Sequence, residues 1–523
     1  MGDEWEASLE ENELVEGVPV TAKVGKRTVL FLRTGEKIYA VSGKCPHYGA
    51  PLHKGVIRGG TITCPWHHAR FDIETGRLIA PPALKDLVYF DVKLEGGRVW
   101  VRKADTAKPS TAAGTEEKTF VIVGAGASGN SCAVTLRQEG FGGRIVMITR
   151  EEDLPYDRPN LSKDFLSGEA GPEWIPLERQ EYYDELGIEI MKRSTVTGID
   201  IEGRIVQIEG NRPLLYDSLL LCTGSIPRLP DIPGTDLNGF HLLRSFADAR
   251  EIERDLAERD ASSYSAVVLG ASFIGLEVAQ ALLHRGIEVH VVAPESIPME
   301  RVFGSRVGEL LKTVHEQHGV RFHLGETAQA IEGKKRVSGV TLSSRDTIPA
   351  DLVVAGIGVM PAVDFLEGTP LLQGGGIPVD THLESGVKGI FAAGDIALVP
   401  DPLTGEKRRV EHWVEAERQG QHAARSMMGI RSDYREIPFF WTKQYDTSLK
   451  YVGYTKQFDK IVYRGEFQSS DFIAGYYYRG ILRAVAGIGR EKEIILLEGL
   501  LRERRDIPES MLRDENSDLE GSS

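Results

Sequence analysis

Cys45-Pro46-His47 and Cys64-Pro65-Trp66-His67 place a C-x-H and a C-x-x-H pair close together near the start of the chain. Thiolate sulfur and neutral imidazole nitrogen are metal ligands, and four of them suit a tetrahedral zinc or a two-iron cluster. Zinc fingers pair Cys with Cys and His with His, whereas each loop here supplies one of each. That division suits a Rieske-type [2Fe–2S] centre, with Cys45 and Cys64 on one iron and His47 and His67 on the other. Imidazole donates less charge to iron than thiolate does, so such a centre has a raised potential and passes electrons singly. His68 follows the second pair. With four ligands already supplied, it is expected at the surface or packed behind them.

A second chemistry is written in glycines. Phe120-Val121-Ile122-Val123 runs into Gly124-Ala125-Gly126-Ala127-Ser128-Gly129, then a helix to Gln138 and a strand from Arg144 to Thr149. Glu151 falls about twenty residues past the last glycine, where a ribose-binding acid is expected. This is a dinucleotide fingerprint: the glycines allow the tight turn and close backbone approach, and the helix N-terminus receives the pyrophosphate. The same order recurs at Gly270-Ala271-Ser272-Phe273-Ile274-Gly275, between Ala266–Leu269 and a helix to Arg285, with a strand from Val289 to Val292. Ser272 stands there for the middle glycine. Two fingerprints predict two dinucleotides. Leu220 to Gly224 is a strand ending in a tight turn at Thr223 and Gly224. Gly389 to Asp395 is another, and its terminal carboxylate can accept hydrogen bonds from a ribitol hydroxyl.

These residues need several domains to position them. At 523 residues the chain is too long for one core, and 41% hydrophobic with 27% charged residues is ordinary for a globular protein. The net charge of −15, without a strongly basic stretch, argues against nucleic acid. Four cysteines, two of them ligand candidates, make no disulfide framework and point to a reducing, cytoplasmic setting. No signal peptide or membrane span is legible. The predicted order is an all-β cluster domain (1–103), a linker (104–117) and the first dinucleotide domain in two parts (118–245 and 371–436). The second dinucleotide domain (246–370) lies between those parts. An α+β C-terminal domain (437–501), rich in aromatics such as Trp441, Tyr451 and Tyr454, and a charged tail (502–523) with a disordered tip complete it.

The segment from Lys118 to about Leu500 resembles the two-dinucleotide flavoprotein reductases that accept hydride from NAD(P)H. These include the ferredoxin reductases of aromatic-ring dioxygenase and cytochrome P450 systems, and apoptosis-inducing factor. The stretch Asp153-Leu154-Pro155-Tyr156-Asp157-Arg158-Pro159-Asn160-Leu161-Ser162-Lys163 is similar to their flavin-side loop, and Gly394-Asp395 to their ribityl motif. With the cluster domain in front, the whole chain resembles the Rieske-fused apoptosis-inducing factor-like proteins.

The resemblance implies FAD at Gly124, Gly126, Ser128, Gly129, Glu151, Arg158, Lys163, Val196, Thr223, Gly224 and Asp395, with Trp413 and Trp441 near the ring. It implies NADH or NADPH at Gly270, Ser272, Gly275 and Glu277. Lys163 and Glu277 are the expected catalytic pair beside the flavin ring edge; the alternative is an ion pair joining two domains. Relatives usually carry an acid at Ala293. Here Glu295, about twenty residues past Gly275, is expected to meet the ribose of NADH instead, while Arg301 could meet a 2′-phosphate. Relatives also often have glycine where this chain has His68.

The expected activity is hydride transfer from NAD(P)H to FAD, followed by single electrons through the internal cluster to a protein acceptor. One alternative is a redox-sensing protein of the apoptosis-inducing-factor type with slow turnover. A glutathione-reductase-type disulfide reductase would need a C-x₄-C or C-x-x-C pair, and the chain has neither.

Overall fold

The computed structural model describes residues 5–104, 117–257 and 264–519. Most of the stretch read as a linker, and the tip of the tail, lie outside the described residues.

The N-terminal unit is all β. A six-stranded antiparallel sheet contains Arg27–Thr34, Lys37–Ser42 and Tyr89–Glu95. A smaller four-stranded sheet joins Val56–Arg58, Thr61–Thr63, Arg70–Asp72 and Leu78–Ala80. Leu30, Val41, Leu52, Ile62 and Phe71 fill the space around the ligand loops with no exposure above 0%. One ligand loop follows Lys37–Ser42. The other links Thr61–Thr63 to Arg70–Asp72, so a hairpin holds Cys64 and His67.

Thr119–Val123 is the central strand of a five-stranded parallel sheet, flanked by Arg144–Ile148 and Ser218–Leu221, with Ile188–Met191 and Ile390–Ala392 at the edges. Its continuous apolar run is what burial on both faces requires. The chain leaves this sheet after Ser218–Leu221 and returns at Ile390–Ala392. A second parallel sheet lies between those points, in the order Phe240–Leu242, Leu352–Ala355, Ser265–Leu269, Glu288–Ala293, Arg321–Leu324. Helices Ala127–Gln138 and Phe273–His284 follow the two fingerprints.

The C-terminal unit is a five-stranded antiparallel sheet, Phe439–Gln444, Thr447–Gly453, Ile481–Ile488, Asp471–Tyr478 and Lys460–Glu466, backed by the helix Glu491–Arg502. The tail corrects the expectation of a merely charged extension. Ile507, Leu512 and Leu519 are buried in this unit's core, and the Ile507 carbonyl accepts from the Tyr477 hydroxyl at 3.0 Å. Three apolar residues spaced among charges were enough to fold it back. Among the described residues, no helix is long and apolar enough to cross a membrane.

Candidate functional site: a flavin cavity facing a cluster loop

The four candidate cluster ligands come together at one end of the N-terminal unit. His47 Nδ1 and His67 Nδ1 face each other at 3.1 Å. Two nitrogens bound to one metal at about 2.0–2.1 Å in tetrahedral geometry lie about 3.3 Å apart, so the spacing of the two rings fits a shared ion. Burial lowers His47 to about 4 and His67 well below the usual imidazole range, which keeps both rings neutral as ligation demands. The Cys45 and Cys64 sulfurs share a hydrogen bond that raises the first thiol and lowers the second. Among the described residues, no three His, Cys, Asp or Glu side chains form a single metal site. A two-iron centre asks for two protein ligands at each iron, and the residues present fit it.

The first fingerprint opens onto a cavity of about 1080 Å³. Gly124 has φ +118°, and a Cβ there would stand 2.2 Å from the Cys222 carbonyl oxygen; one on Gly129 would stand 1.9 Å from that of Gly124. A Cβ on Gly126 would meet nothing within 4 Å, so this glycine faces the open space where a pyrophosphate would lie. Gly126, Ser128, Glu151, Arg158, Lys163, Val196, Thr223, Gly224, Glu277, Asp395, Trp413 and Trp441 all line the cavity. Its size and its backbone cradle fit a bound dinucleotide. Glu151 is engaged by Arg158 at 2.9 Å and by the Tyr156 hydroxyl at 2.6 Å. Burial alone would raise Glu151, but Arg158 and Tyr156 bring it below its ordinary value. Asp395 accepts from Arg244 at 2.8 Å and Ser225 at 3.0 Å. Arg244 also holds Arg158 through its carbonyl at 2.5 Å.

Lys163 and Glu277 meet across the two nucleotide domains, Nζ to Oε2 at 2.8 Å. Ser162 donates to the same carboxylate oxygen at 2.6 Å, and Thr442 to the other at 2.8 Å. Glu277 is 5% exposed, and these donors satisfy both oxygens of a carboxyl group so buried. Three domains thus meet at one side chain.

The second fingerprint is built like the first. Gly270 has φ +104°, and a Cβ on Gly275 would stand 2.0 Å from the Gly270 carbonyl oxygen. Ser272 caps the helix, accepting from the Gly275 amide at 3.2 Å and donating to the Gly356 carbonyl at 3.0 Å. Glu295 lies half-buried beyond Glu288–Ala293 and does not line the cavity; Arg301 is exposed.

Contacts that spacing along the chain does not show join the cluster loop to this cavity. The His67 ring lies 4.3 Å from that of Trp441. Lys450 Nζ donates to the Pro65 carbonyl at 2.7 Å, and the Tyr48 hydroxyl reaches Asp157. Of the two places expected for His68, the surface is excluded and the packed one holds: it is 0% exposed, stacked on Phe439 and bonded through Nδ1 to Glu498. Arg70 pairs with Glu436 beside it. Burial lowers His68 to about 4, so a neutral imidazole donates to the carboxylate. The signal available was charge at inward positions of apolar stretches, as with Glu498 in Glu493–Leu501, but its partner is more than four hundred residues away.

Comparison with known proteins agrees with this architecture. The model for pyridine nucleotide-disulphide oxidoreductases matches residues 118–420, that for the Rieske [2Fe–2S] domain 4–91, and that for the reductase C-terminal domain 439–522. Apoptosis-inducing factor 3 of Homo sapiens is 34% identical over 529 residues, covering 97% of this chain and 86% of that protein. Rhodocoxin reductase of Rhodococcus erythropolis is 34% identical over 403 residues, covering 76% and 93%. The structure of the ferredoxin reductase for the CYP199A2 system from Rhodopseudomonas palustris is 33% identical with a TM-score of 0.73, covering 77% of this chain and 99% of that one. A covalent putidaredoxin reductase–putidaredoxin complex is 29% identical at the same TM-score, covering 77% and 97%. These likenesses favour NAD(P)H-driven electron transfer over a slow sensor. The remaining cysteines, Cys132 and Cys222, are free and buried. The chain belongs to the pyridine nucleotide-disulphide oxidoreductase family, as an FAD- and NAD(P)H-dependent reductase with its own Rieske [2Fe–2S] domain.

Proposed function

We propose that this protein moves electrons from NADH, through FAD and then its own cluster, to a one-electron carrier protein. The observation that carries this reading is the 4.3 Å contact between His67 and Trp441, because Trp441 also lines the flavin cavity. Overall, one reduced nicotinamide and two oxidised acceptors give oxidised nicotinamide, one proton and two reduced acceptors. When bound, the flavin takes a hydride and can release its electrons singly, which the cluster requires.

The chain's own residues supply position and charge. Gly124, Gly126, Ser128 and Gly129 receive the FAD pyrophosphate, with Glu151 and Arg158 at the adenosine side. Asp395, set by Arg244, meets the ribityl chain, and Val196, Thr223 and Gly224 close the walls. Lys163 presents its ammonium at the ring edge, and Glu277 balances that charge while tying the nicotinamide helix to it. Trp413 and Trp441 flank the ring. Gly270, Ser272 and Gly275 receive the nicotinamide dinucleotide, and Glu295 favours NADH by meeting its ribose. A reducing cytoplasm suits a chain whose four cysteines form no disulfide.

Stopped-flow reduction by NADH and NADPH in turn, following flavin and cluster bands separately, tests the proposal. The flavin should be reduced first and the cluster after it, faster with NADH. A flavin that is reduced while the cluster stays oxidised would sink the reading.

A further inference from the structure

Two consecutive residues of the second ligand loop grip two residues of one strand. His67 lies against Trp441 at 4.3 Å, and His68 stacks on Phe439 at 3.9 Å and 19°. Phe439 and Trp441 are two apart in Phe439–Gln444, so their side chains leave the same face of the sheet, and their rings lie 6.0 Å apart. Consecutive residues in extended backbone point to opposite sides. His68 escapes this with φ +58°, the left-handed conformation that a residue with a Cβ holds only when its surroundings over-determine it.

Those surroundings come from the other domains. Glu498, on the helix Glu491–Arg502, takes the His68 Nδ1 hydrogen bond and is itself held by Arg418 at 3.1 Å and Arg502 at 2.8 Å. Arg418, on the flavin-domain helix Trp413–Met427, also donates to the His68 carbonyl at 3.4 Å and the Ile437 carbonyl at 2.8 Å. His68, Arg418 and Glu498 are all buried. On the far side of the loop, Lys450 holds the Pro65 carbonyl. A contact meant to open at each turnover would be polar, wet and weak. This one seats an imidazole in a buried carboxylate–guanidinium pair.

We propose that His68 is a clasp that keeps the Rieske domain permanently docked. The spacing of His67 and Trp441, and with it the passage of electrons from flavin to cluster, is then set by a fixed interface and not by a swinging domain. His68 acts through its neighbour, so it is a positioning residue. The proposal rests on the electron-transfer reading above and goes beyond it: the Trp441 face stays closed to outside proteins, and the acceptor meets the cluster domain alone.

The test uses the full chain loaded with flavin and cluster. Stopped-flow reduction by NADH is repeated at several sucrose concentrations, and small-angle X-ray scattering of the oxidised samples reads docking without turnover. In the wild type, cluster reduction should not vary with solvent viscosity, and the scattering should be that of one compact particle. His68→Gly accepts φ +58° without strain and keeps the ligand loop. Losing a buried hydrogen bond to a charged group shifts a docking equilibrium by about one to two orders of magnitude. The variant should therefore keep its iron and its flavin reduction, yet show an expanded particle and slower cluster reduction that falls as viscosity rises. Glu498→Gln examines the clasp without touching the ligand loop, should His68→Gly lose iron. His68→Gln, which can still donate to Glu498, should recover the compact particle.

Wild-type cluster reduction that slows in proportion to viscosity overturns the clasp. So does unchanged scattering and cluster reduction in both His68→Gly and Glu498→Gln. If NADH does not reduce the wild-type cluster, yet scattering separates His68→Gly from the wild type, the clasp stands and the electron-transfer reading falls.

Discussion

The ring of His67, a candidate cluster ligand by its position in the loop, lies 4.3 Å from that of Trp441, a wall of the cavity at the first fingerprint. One aromatic ring therefore stands between the candidate ligand and the cavity. Trp441→Leu should slow the flavin-to-cluster step far more than the nicotinamide-to-flavin step. Resolving the two phases in a stopped-flow trace checks this; equal slowing of both would make Trp441 only a cavity wall.

Lys163 and Glu277 make a pair with different tasks at its two ends. Lys163→Met removes the ammonium but leaves Glu277 with its Ser162 and Thr442 donors. We expect flavin reduction to slow by about 10²-fold, the scale of losing one electrostatic contact to a reacting group, with FAD retained. Glu277→Gln should act in the same direction but more mildly. Wild-type reduction rates in both variants would leave the pair as a tie between domains.

Gly129→Ala tests the cradle. Its Cβ would sit 1.9 Å from the Gly124 carbonyl oxygen, so helix Ala127–Gln138 would have to move off the strand that precedes it. Overpacking of this kind costs about 1–3 kcal/mol. The variant should purify with less flavin, measured as absorbance per chain, while its cluster spectrum is unchanged. Full flavin content would show that the turn has room to spare.

Glu436 gives the docked interface an acid limit. Burial alone would raise its carboxyl, but the guanidiniums of Arg70, Arg502 and Arg418 outweigh that and hold it down to about 2. A carboxylate depressed on folding adds stability above its unfolded value of about 4.3, and that stability drains away as pH falls through the folded value. The shift corresponds to about 3 kcal/mol. Acid unfolding followed by circular dichroism should steepen between about pH 4.3 and 2, and Glu436→Gln should flatten that window. A variant with the wild-type profile would assign the acid limit to other groups.

The candidate ligand set and the nucleotide grammar were legible because both chemistries depend on local spacing. Cys45, His47, Cys64 and His67 declare themselves within two short loops. Gly124 to Gly129 must follow a buried strand and open a helix wherever the fold places them. Asp395 was legible for the same reason, as the end of an apolar strand, but Arg244, which sets it, lies 151 residues away in a loop with no pattern. Lys163 and Glu277 were paired by resemblance; Thr442, which completes the carboxylate's donors, carries no mark in an ordinary β sequence.

The tail and His68 show where local reading ends. Ile507, Leu512 and Leu519 sit among charges that mask them along the chain, and only a sheet ready to receive them turns them into core. His68 looked like a spare residue beside a complete ligand set, since nothing near it in sequence can satisfy a buried imidazole. Its left-handed backbone turns it toward Phe439 and Glu498, so a loop that would otherwise serve the metal alone also fastens one domain to another. Spacing along the chain decided which cofactors can bind. How far apart they sit was decided by contacts between residues hundreds of positions apart, because burial and hydrogen bonding act across space and leave no period in a sequence.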